Sequence, residues 1–210
     1  MLEVATETNL VKIGECHRKA FPDTLSSRLG HALVVKMLSW YLNSPKRFLF
    51  YLSEHGKCVG YCGGMVSDGT QVHGSTSGMI QHSFRDLFLA LLIRPWLWVH
   101  PDVVSRYKLI FKNLYFKITG YNKPQLNKTQ QQIEPHVGLI VIGVDPDYQG
   151  RGYASILLRE FERVSIEKGI NKALLTVLPE NRKAIIAYEK NGWSILEVKP
   201  KSTLMVKYLS

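Results

Sequence analysis

A glycine-rich loop between an apolar segment and an amphipathic one contains the residues that indicate the most specific chemistry in this chain. The loop is Gln149-Gly-Arg-Gly-Tyr-Ala154, and it follows an apolar run at 137–144. Because glycine has no Cβ, the backbone at Gly150 and Gly152 can bend sharply and turn several N–H groups toward one anion. The dipole of a helix that begins after the loop adds positive potential at the same place. The pattern predicts a phosphate-binding loop.

Two well-known phosphate loops do not match this segment. A dinucleotide-binding loop has a third glycine at the position of Ser155, and a nucleotide P-loop continues with Gly-Lys-Ser or Gly-Lys-Thr, which does not follow the glycines here. An ordinary left-handed turn is the simplest alternative and stays open. The predicted strand and helix on either side favour phosphate binding.

The elements that must position the loop follow from the spacing of apolar residues. A helix is expected from Ser155 to Lys168, because its apolar residues recur at helical spacing and Gly169 ends it. The other predicted helices are 9–20, 26–42 and 181–190. The predicted strands are 47–53, 58–66, 138–144, 172–178, 193–198 and 203–208, the first two joined by a hairpin loop. Strands and helices that alternate with short connections predict an α/β fold with a partly parallel sheet and helices on both faces.

Composition indicates a single domain over residues 1–210, because a chain of 210 residues that is 45% apolar can bury a sizeable core. Its cysteines, Cys16, Cys58 and Cys62, form no even disulfide framework, which indicates a reducing compartment and a cytoplasmic protein. Their spacing does not match a zinc site, so no metal is expected. The N-terminus has no apolar run behind a basic start, so neither a signal peptide nor a membrane anchor is expected there.

The chain is strongly basic, with a formal charge of +10 and a pI near 9.5. Its 27 Lys and Arg residues are scattered rather than gathered into an arm or a repeat, so specific nucleic-acid binding is not favoured. A polyanionic small ligand accounts for the excess equally well. Coenzyme A, with its pyrophosphate and ribose phosphate, is such a ligand.

A segment at about 76–134 is rich in aromatic and basic residues and is predicted to be a helical insertion. Three roles stay open for it: a buried lid or homodimer contact, a wall of an acceptor site, and peripheral contact with an anionic membrane surface. Arg94 and Pro95 interrupt its apolar run, which is far shorter than the ~20 residues of a membrane span.

Three motifs in the last third of the chain together resemble the GNAT N-acetyltransferase superfamily. They are Ile142-Gly-Val-Asp-Pro146, the loop at 149–154, and Asn181-Arg-Lys-Ala184 followed by Tyr188-Glu-Lys-Asn-Gly-Trp193. The resemblance is strong over 136–208, moderate over 1–66 and absent in the insertion. It implies a GNAT-like fold, a mixed, partly parallel twisted sheet flanked by helices, and acetyl-coenzyme A as co-substrate without a metal.

The same resemblance implies where the co-substrate lies. The pantetheine arm would occupy a wedge between the strands that end at Val144 and Leu178, paired with the backbone of the first strand. The pyrophosphate would sit on the N–H groups of the loop, and Asn181 would hydrogen-bond the arm while also serving as a helix N-cap. The implied cofactor-binding residues are Ile142, Gly143, Val144, Gln149, Gly150, Arg151, Gly152, Tyr153, Ala154 and Asn181.

Tyr188 matches the general acid of the family, because a phenol placed against the sulfur can protonate the departing thiolate. Its alternative role is helix packing beside Ala184 and Ala187. Direct transfer to the amine requires no covalent enzyme intermediate.

No residue is an obvious base for the attacking amine. Family members that acetylate protein α-amines often carry Glu where this chain has Thr176. Threonine cannot serve as that base, so acetylation of proteins is a less favoured hypothesis for this chain. Glu134 and His136 are candidates that would act through a water, although Glu134 also fits a solvated loop charge.

The acceptor would enter over the first two predicted helices and the loop between them. Asp23, Thr24, Ser26 and Ser27 offer a carboxylate and hydroxyls there, although turn and capping roles fit them equally well. The leading hypothesis is acetyl transfer to a primary amine of a small or carrier-linked acceptor, with an amino sugar preferred. The alternatives are a protein N-acetyltransferase and a non-catalytic acyl-coenzyme A sensor. Similar chains with long basic insertions are often bacterial, so a bacterial source is expected.

Overall fold

A single mixed sheet of seven strands organises the protein, which we describe from a computed structural model. The structure describes residues 1–69, 79, 82–99, 101–104 and 134–210. The strands are β1 Leu2–Val4, β2 Arg47–Glu54, β3 Lys57–Ser67, β4 His136–Val144, β5 Lys172–Val177, β6 Ser194–Lys199 and β7 Ser202–Tyr208. Their order across the sheet is β1-β2-β3-β4-β5-β7-β6.

Helices connect these strands and cover both faces of the sheet. The α-helices are α1 Leu10–Ala20, α2 Leu25–Leu29, α3 His31–Ser39, α4 Phe84–Ile93, α5 Pro101–Val104, α6 Tyr153–Glu167 and α7 Arg182–Lys190. Short 3-10 helices lie at Glu7–Asn9, Trp40–Asn43, Pro95–Val99 and Pro146–Tyr148. The α/β fold predicted from the sequence is confirmed.

The two faces of the sheet carry separate apolar cores. Leu49 and Tyr51 of β2 pack with α1 and α3 on one face, whereas Phe50 and Leu52 belong to the core of the other face. Successive strand residues point to opposite faces, so this alternation explains the division. Leu157, Leu158 and Phe161 of α6 and Ile185 of α7 fill the second core.

The central pair, β4 and β5, is the parallel pair of the sheet, and it separates part of the way along. Pairing runs from Val137 opposite Ala173 to Leu139 opposite Leu175, and β4 then continues to Val144 without β5 beside it. On its other edge β4 stays paired with β3 as far as Val144. The result is a wedge-shaped gap that opens toward the C-terminal ends of both strands.

A β-bulge coincides with the start of the gap. Gly63 of β3 lies opposite Val141, and Gly64 lies opposite Leu139, so Ile140 is an extra residue in β4. A bulge increases local twist and bends the strand that contains it. We attribute the departure of β4 from β5 to this bend.

The predicted helix at 26–42 is wrong in its continuity. Gly30 has φ +113°, which L-residues rarely adopt, and it separates α2 from α3. The last part of the predicted helix is a 3-10 helix at Trp40–Asn43. The Arg94 guanidinium donates a hydrogen bond to the Leu29 carbonyl at this break. Sequence spacing also missed β1, which pairs with β2 at the sheet edge.

The described part of the predicted insertion is helical and packs on α2 and α3. Leu87, Leu91 and Leu97 contact Leu29 of α2 and Leu33 of α3. The predicted positions 76–78, 80–81, 100 and 105–133 lie outside the described residues, so the boundaries of the insertion stay a prediction. The helices that are described are all too short or too polar to cross a lipid bilayer.

The break at Gly30 gives a stability prediction. Gly30→Ala should lower the free energy of unfolding by about 1–3 kcal/mol, because the new Cβ disfavours this backbone conformation. Gly138→Ala is the matched control, since its Cβ would meet only ordinary contacts, the nearest at 3.4 Å. Urea unfolding of both variants measures the difference, and equal midpoints would contradict the prediction.

Candidate active site

The wedge between β4 and β5 contains a cavity of about 720 Å³. Ligand pockets for small molecules have volumes of roughly 300–1,000 Å³. The lining comes from α1 and its C-terminal turn, from β4 and β5, from the glycine-rich loop and from α7. The cavity therefore joins elements that are far apart in the sequence.

One wall is the edge of β4 that faces away from β3. Residues 140–144 line the cavity, and β5 no longer pairs with them. Because backbone N–H and C=O groups form the edge of a strand, an extended ligand arm can pair there as an additional strand. The structure thus brings the predicted residues Ile142, Gly143 and Val144 to the cavity.

Close packing at Gly143 explains why a glycine stands in this wall. A Cβ there would lie 2.9 Å from ring carbons of Phe21 and Tyr61. Such an approach is shorter than real Cβ contacts, so a side chain would push β4 away from the end of α1. Gly143 therefore sets the distance between β4 and the α1 side of the cavity.

The glycine-rich loop forms the open end of the cavity. Gly150 and Gly152 have φ +81° and +80°, and a Cβ at either would meet nothing within 4 Å. Backbone conformation rather than space thus favours glycine at both positions. Gly152 is the N-cap of α6. The first N–H groups of a helix have no carbonyl partner four residues earlier, so those of Tyr153 and Ala154 point toward a prospective anion.

Cationic side chains stand beside this loop. Lys183 Nζ of α7 donates a hydrogen bond to Gln149 Oε1 at 2.7 Å, and both residues line the cavity. The Arg151 guanidinium lies 5.0 Å from the centroid of the Tyr148 ring, and Arg151 itself is exposed. These charges favour a polyanion at the loop.

Two contacts hold the loop and the end of β4 in place. The Tyr153 hydroxyl donates to Glu54 Oε2 at 2.6 Å. Asp145, which is buried, accepts from Lys19 Nζ of α1 at 2.8 Å, and this hydrogen bond is the main cause of the raised pKa of Lys19. The loop is therefore tied to β2 and β4 is tied to α1.

Asn181 lies at the junction of β5 and α7. Its Oδ1 accepts a hydrogen bond from the Ala184 N–H at 3.1 Å, so it is the N-cap of α7. It also lines the cavity. The two roles proposed from the sequence are compatible in the structure.

Tyr188 of α7 faces the same cavity. Its ring lies 6.1 Å from that of Trp193, which is buried. Burial, and secondarily the nearby Cys62, raise the pKa of Tyr188 to about 12. The phenol is therefore protonated at neutral pH, as a proton donor must be.

Glu134 and His136 lie away from the cavity, at the start of β4. Neither is among the residues that line it, and Glu134 precedes the opening of the gap by five residues, or ~16 Å of extended strand. Lys172 lies 2.5 Å from Glu134, and their hydrogen bond lowers the pKa of this carboxylate, which makes it a weaker base. His136 Nδ1 contacts the Glu134 carbonyl at 2.9 Å. The structure does not bring these two base candidates to the reaction site.

The predicted acceptor residues form a hydrogen-bonded turn between α1 and α2. Thr24 lines the cavity, and its hydroxyl contacts those of Ser26 and Ser27 at 3.2 and 3.1 Å. Asp23 is exposed and pairs with Arg28 at 3.0 Å. Thr24 is thus the member of this group that faces the cavity directly.

His17 lines the cavity and was not among the sequence candidates. It lies one turn before Phe21 on α1, and its ring is 5.2 Å from the Phe21 ring. A histidine beside the buried positions Ile13 and Cys16 of an amphipathic helix was the signal that could have identified it.

Comparison with known proteins agrees with this geometry. The family model described as the acetyltransferase (GNAT) family matches residues 118–193, which include the loop, Asn181 and Tyr188. The match covers 76 of the 210 residues of the chain, so over this part the chain is similar to the GNAT family. An acetyltransferase of Yersinia pestis (strain Pestoides F) is 29% identical over 116 residues, which cover 55% of this chain and 77% of that protein.

Solved structures show that this protein shares its fold with N-acetyltransferases of low sequence identity. The PaiA N-acetyltransferase of Thermoplasma acidophilum, solved with coenzyme A, has a TM-score of 0.58 at 11% identity and covers 99% of both chains. The ribosomal-protein-S18-alanine N-acetyltransferase of Escherichia coli has a TM-score of 0.57 at 14% identity, covering 100% of this chain and 94% of its own. At these identities the similarity concerns the fold.

The loop geometry yields a binding prediction. Gly152→Ala should weaken coenzyme A binding about tenfold, because a left-handed residue with a Cβ costs roughly 1–2 kcal/mol and the loop relaxes away from its anion-binding form. Titration calorimetry with coenzyme A measures the change.

Gly169→Ala is the matched control for this loop variant. Gly169 has φ +75° with nothing within 4 Å of its Cβ, but it follows the opposite end of α6. It should lose similar stability and keep the parental coenzyme A affinity. Equal affinity losses in both variants would argue against a phosphate site at the loop.

Proposed function

We propose that this protein is a GNAT enzyme that transfers the acetyl group of acetyl-coenzyme A directly to a primary amine of a small or carrier-linked acceptor. The observation that carries the proposal is the continuous cavity from the loop at Gly150 and Gly152, along the free edge of β4, to the hydroxyl-bearing ring of Tyr188. This path matches the shape of the co-substrate, a charged diphosphate at one end of a long thioester arm.

The residues fit the co-substrate in three parts. Loop amides, with Lys183 and Arg151 nearby, would hold the diphosphate. Backbone groups of Ile142–Val144 would pair with the amides of the pantetheine arm, and the Asn181 side chain would contact the arm from the other strand. The polarity of each part agrees with the ligand group it would meet.

The chemistry follows from the placement of Tyr188. The amine nitrogen forms a bond to the thioester carbonyl carbon and loses one proton, the C–S bond breaks, and the sulfur takes a proton from the Tyr188 hydroxyl, which solvent then reprotonates. A protonated phenol lowers the barrier because it neutralises the departing thiolate. No covalent enzyme intermediate is required.

An amino sugar is our preferred acceptor. The turn at 23–27 presents the Thr24 hydroxyl to the cavity, with the Ser26 hydroxyl 3.2 Å from it, and hydroxyls suit a polyol amine. Thr176 lines the cavity and cannot act as a carboxylate base, so peptide amines are the second choice. The cysteines are free and buried, which supports placing the reaction in a reducing compartment such as the cytoplasm.

An acceptor panel tests this assignment. Incubation with acetyl-coenzyme A and glucosamine, spermidine or a peptide with a free α-amine should release free thiol, fastest with glucosamine. Mass spectrometry of the acceptor identifies the acetylated product. Tight binding of acetyl-coenzyme A without thiol release for any amine would instead support a sensor.

Tyr188→Phe tests the proton donor. Its kcat should fall about 100-fold, because general acid catalysis contributes roughly 100- to 10,000-fold, while the Kd for acetyl-coenzyme A stays within about twofold. Tyr148→Phe, at another tyrosine that lines the cavity, is the matched control and should keep both values. A Tyr188→Phe variant as fast as the parent would remove the assignment.

A further inference from the structure

His17 is a histidine at the acceptor side of the cavity that the mechanism so far does not use. It also lines a second, smaller cavity of about 170 Å³, and the two cavities share His17, Ile140 and Val141. The smaller cavity is otherwise lined by apolar side chains and by Tyr41. His17 of α1 thus stands between the place where the thioester would lie and the smaller cavity beside α3.

Both ring nitrogens of His17 have a hydroxyl neighbour. Nδ1 lies 2.5 Å from the hydroxyl oxygen of Tyr61, and Nε2 lies 3.3 Å from Oγ of Ser26. Tyr61 is fully buried on β3. It lies opposite Gly143 of β4, the strand whose other edge would pair with the pantetheine arm. The short contact fixes the ring, and the longer one leaves Nε2 less strongly engaged.

His17 is free to accept a proton at neutral pH. Burial lowers the pKa of His17 to about 4, which makes it a weaker base than a free imidazole, but the imidazole is neutral at physiological pH and one nitrogen carries a lone pair. Burial also raises the pKa of Tyr61, so its hydroxyl stays protonated. The Tyr61 hydroxyl donates to Nδ1 in one tautomer of His17 and accepts from Nδ1–H in the other, and in this second tautomer the lone pair is on Nε2. Nδ1–H donation to the Tyr61 oxygen also stabilises the imidazolium once Nε2 is protonated.

We propose that His17 accepts the proton that the attacking amine loses, and that Tyr61 is a positioning residue that holds the orientation of its ring. This inference rests on the proposed acetyl transfer. As the C–N bond forms, one proton moves from the amine nitrogen to His17 Nε2, the C–S bond breaks, and the sulfur takes the proton of Tyr188.

The proton balance closes through groups at the cavity. His17 returns its proton to solvent along the hydroxyls of Ser26 and Thr24, which are 3.2 Å apart, and Thr24 lines the cavity. The Tyr188 phenolate takes a proton from solvent. The net reaction converts an amine and a thioester into an amide and a thiol.

The main test is His17→Gln, assayed with acetyl-coenzyme A and the fastest acceptor among glucosamine, spermidine and the peptide. Glutamine can still hydrogen-bond Tyr61 but cannot take the proton, so kcat should fall about 100-fold with the Kd for acetyl-coenzyme A nearly unchanged. His136→Gln is the matched control, because His136 lies outside the cavity, and it should keep the parental kcat.

Chemical rescue separates proton transfer from a structural role. His17→Gly opens space between the two cavities, so added imidazole should restore a large part of the lost kcat there and none in His17→Gln. Tyr61→Phe should lower kcat by about tenfold at constant KM, since the ring loses the hydroxyl partner that holds its orientation.

The outcomes distinguish the two hypotheses. If the parent and His17→Gln release thiol at equal rates, the role of His17 is overturned and acetyl transfer stays intact. A parent without thiol release for any amine would overturn the proposed function itself. If His17→Gly is folded by circular dichroism, inactive and not restored by imidazole, His17 is structural. If that variant does not fold, the kcat of His17→Gln decides.

Discussion

The separation of β4 from β5 is the constraint on which the rest of this structure depends. Two parallel strands in the middle of a sheet would normally pair along their whole length and leave no space for a ligand. Here pairing ends at Leu139 and Leu175, where Ile140 adds a residue to β4. The strand keeps its partner on one edge and exposes the other, so the fold gains a binding edge without losing the continuity of its sheet.

Every functional group that we propose is placed by that gap. The glycine-rich loop follows β4 and closes one end of the cavity, α7 follows β5 and carries Tyr188, and α1 approaches β4 at Gly143 with His17 beside it. The gap also opens the cavity to α1, which packs on one sheet face, and to α7, which packs on the other. A donor and an acceptor of a proton can therefore flank one thioester, and burial favours the form that each role requires, a protonated phenol and a neutral imidazole.

Local patterns predicted most elements because their causes are local. The helix after the loop and the strands of the last third follow apolar periodicity, and their boundaries agree within about two residues. The segment 26–42 failed because its apolar spacing continues across Gly30, whereas the positive φ at that residue breaks the helix. The strand Leu2–Val4 was missed because three residues carry little periodicity, and pairing with β2 defines it.

The sequence by itself determined the glycine-rich loop, the helix that follows it and the candidate proton donor, because glycine flexibility, helix dipoles and motif spacing are properties of contiguous residues. Tertiary structure decided which residues share the cavity. It left Glu134 and His136 at the far end of β4, with Glu134 paired to Lys172, and brought His17 to Tyr61 across 44 positions of sequence. A base must reach its proton in space, and only the packing of α1 on the sheet sets that distance.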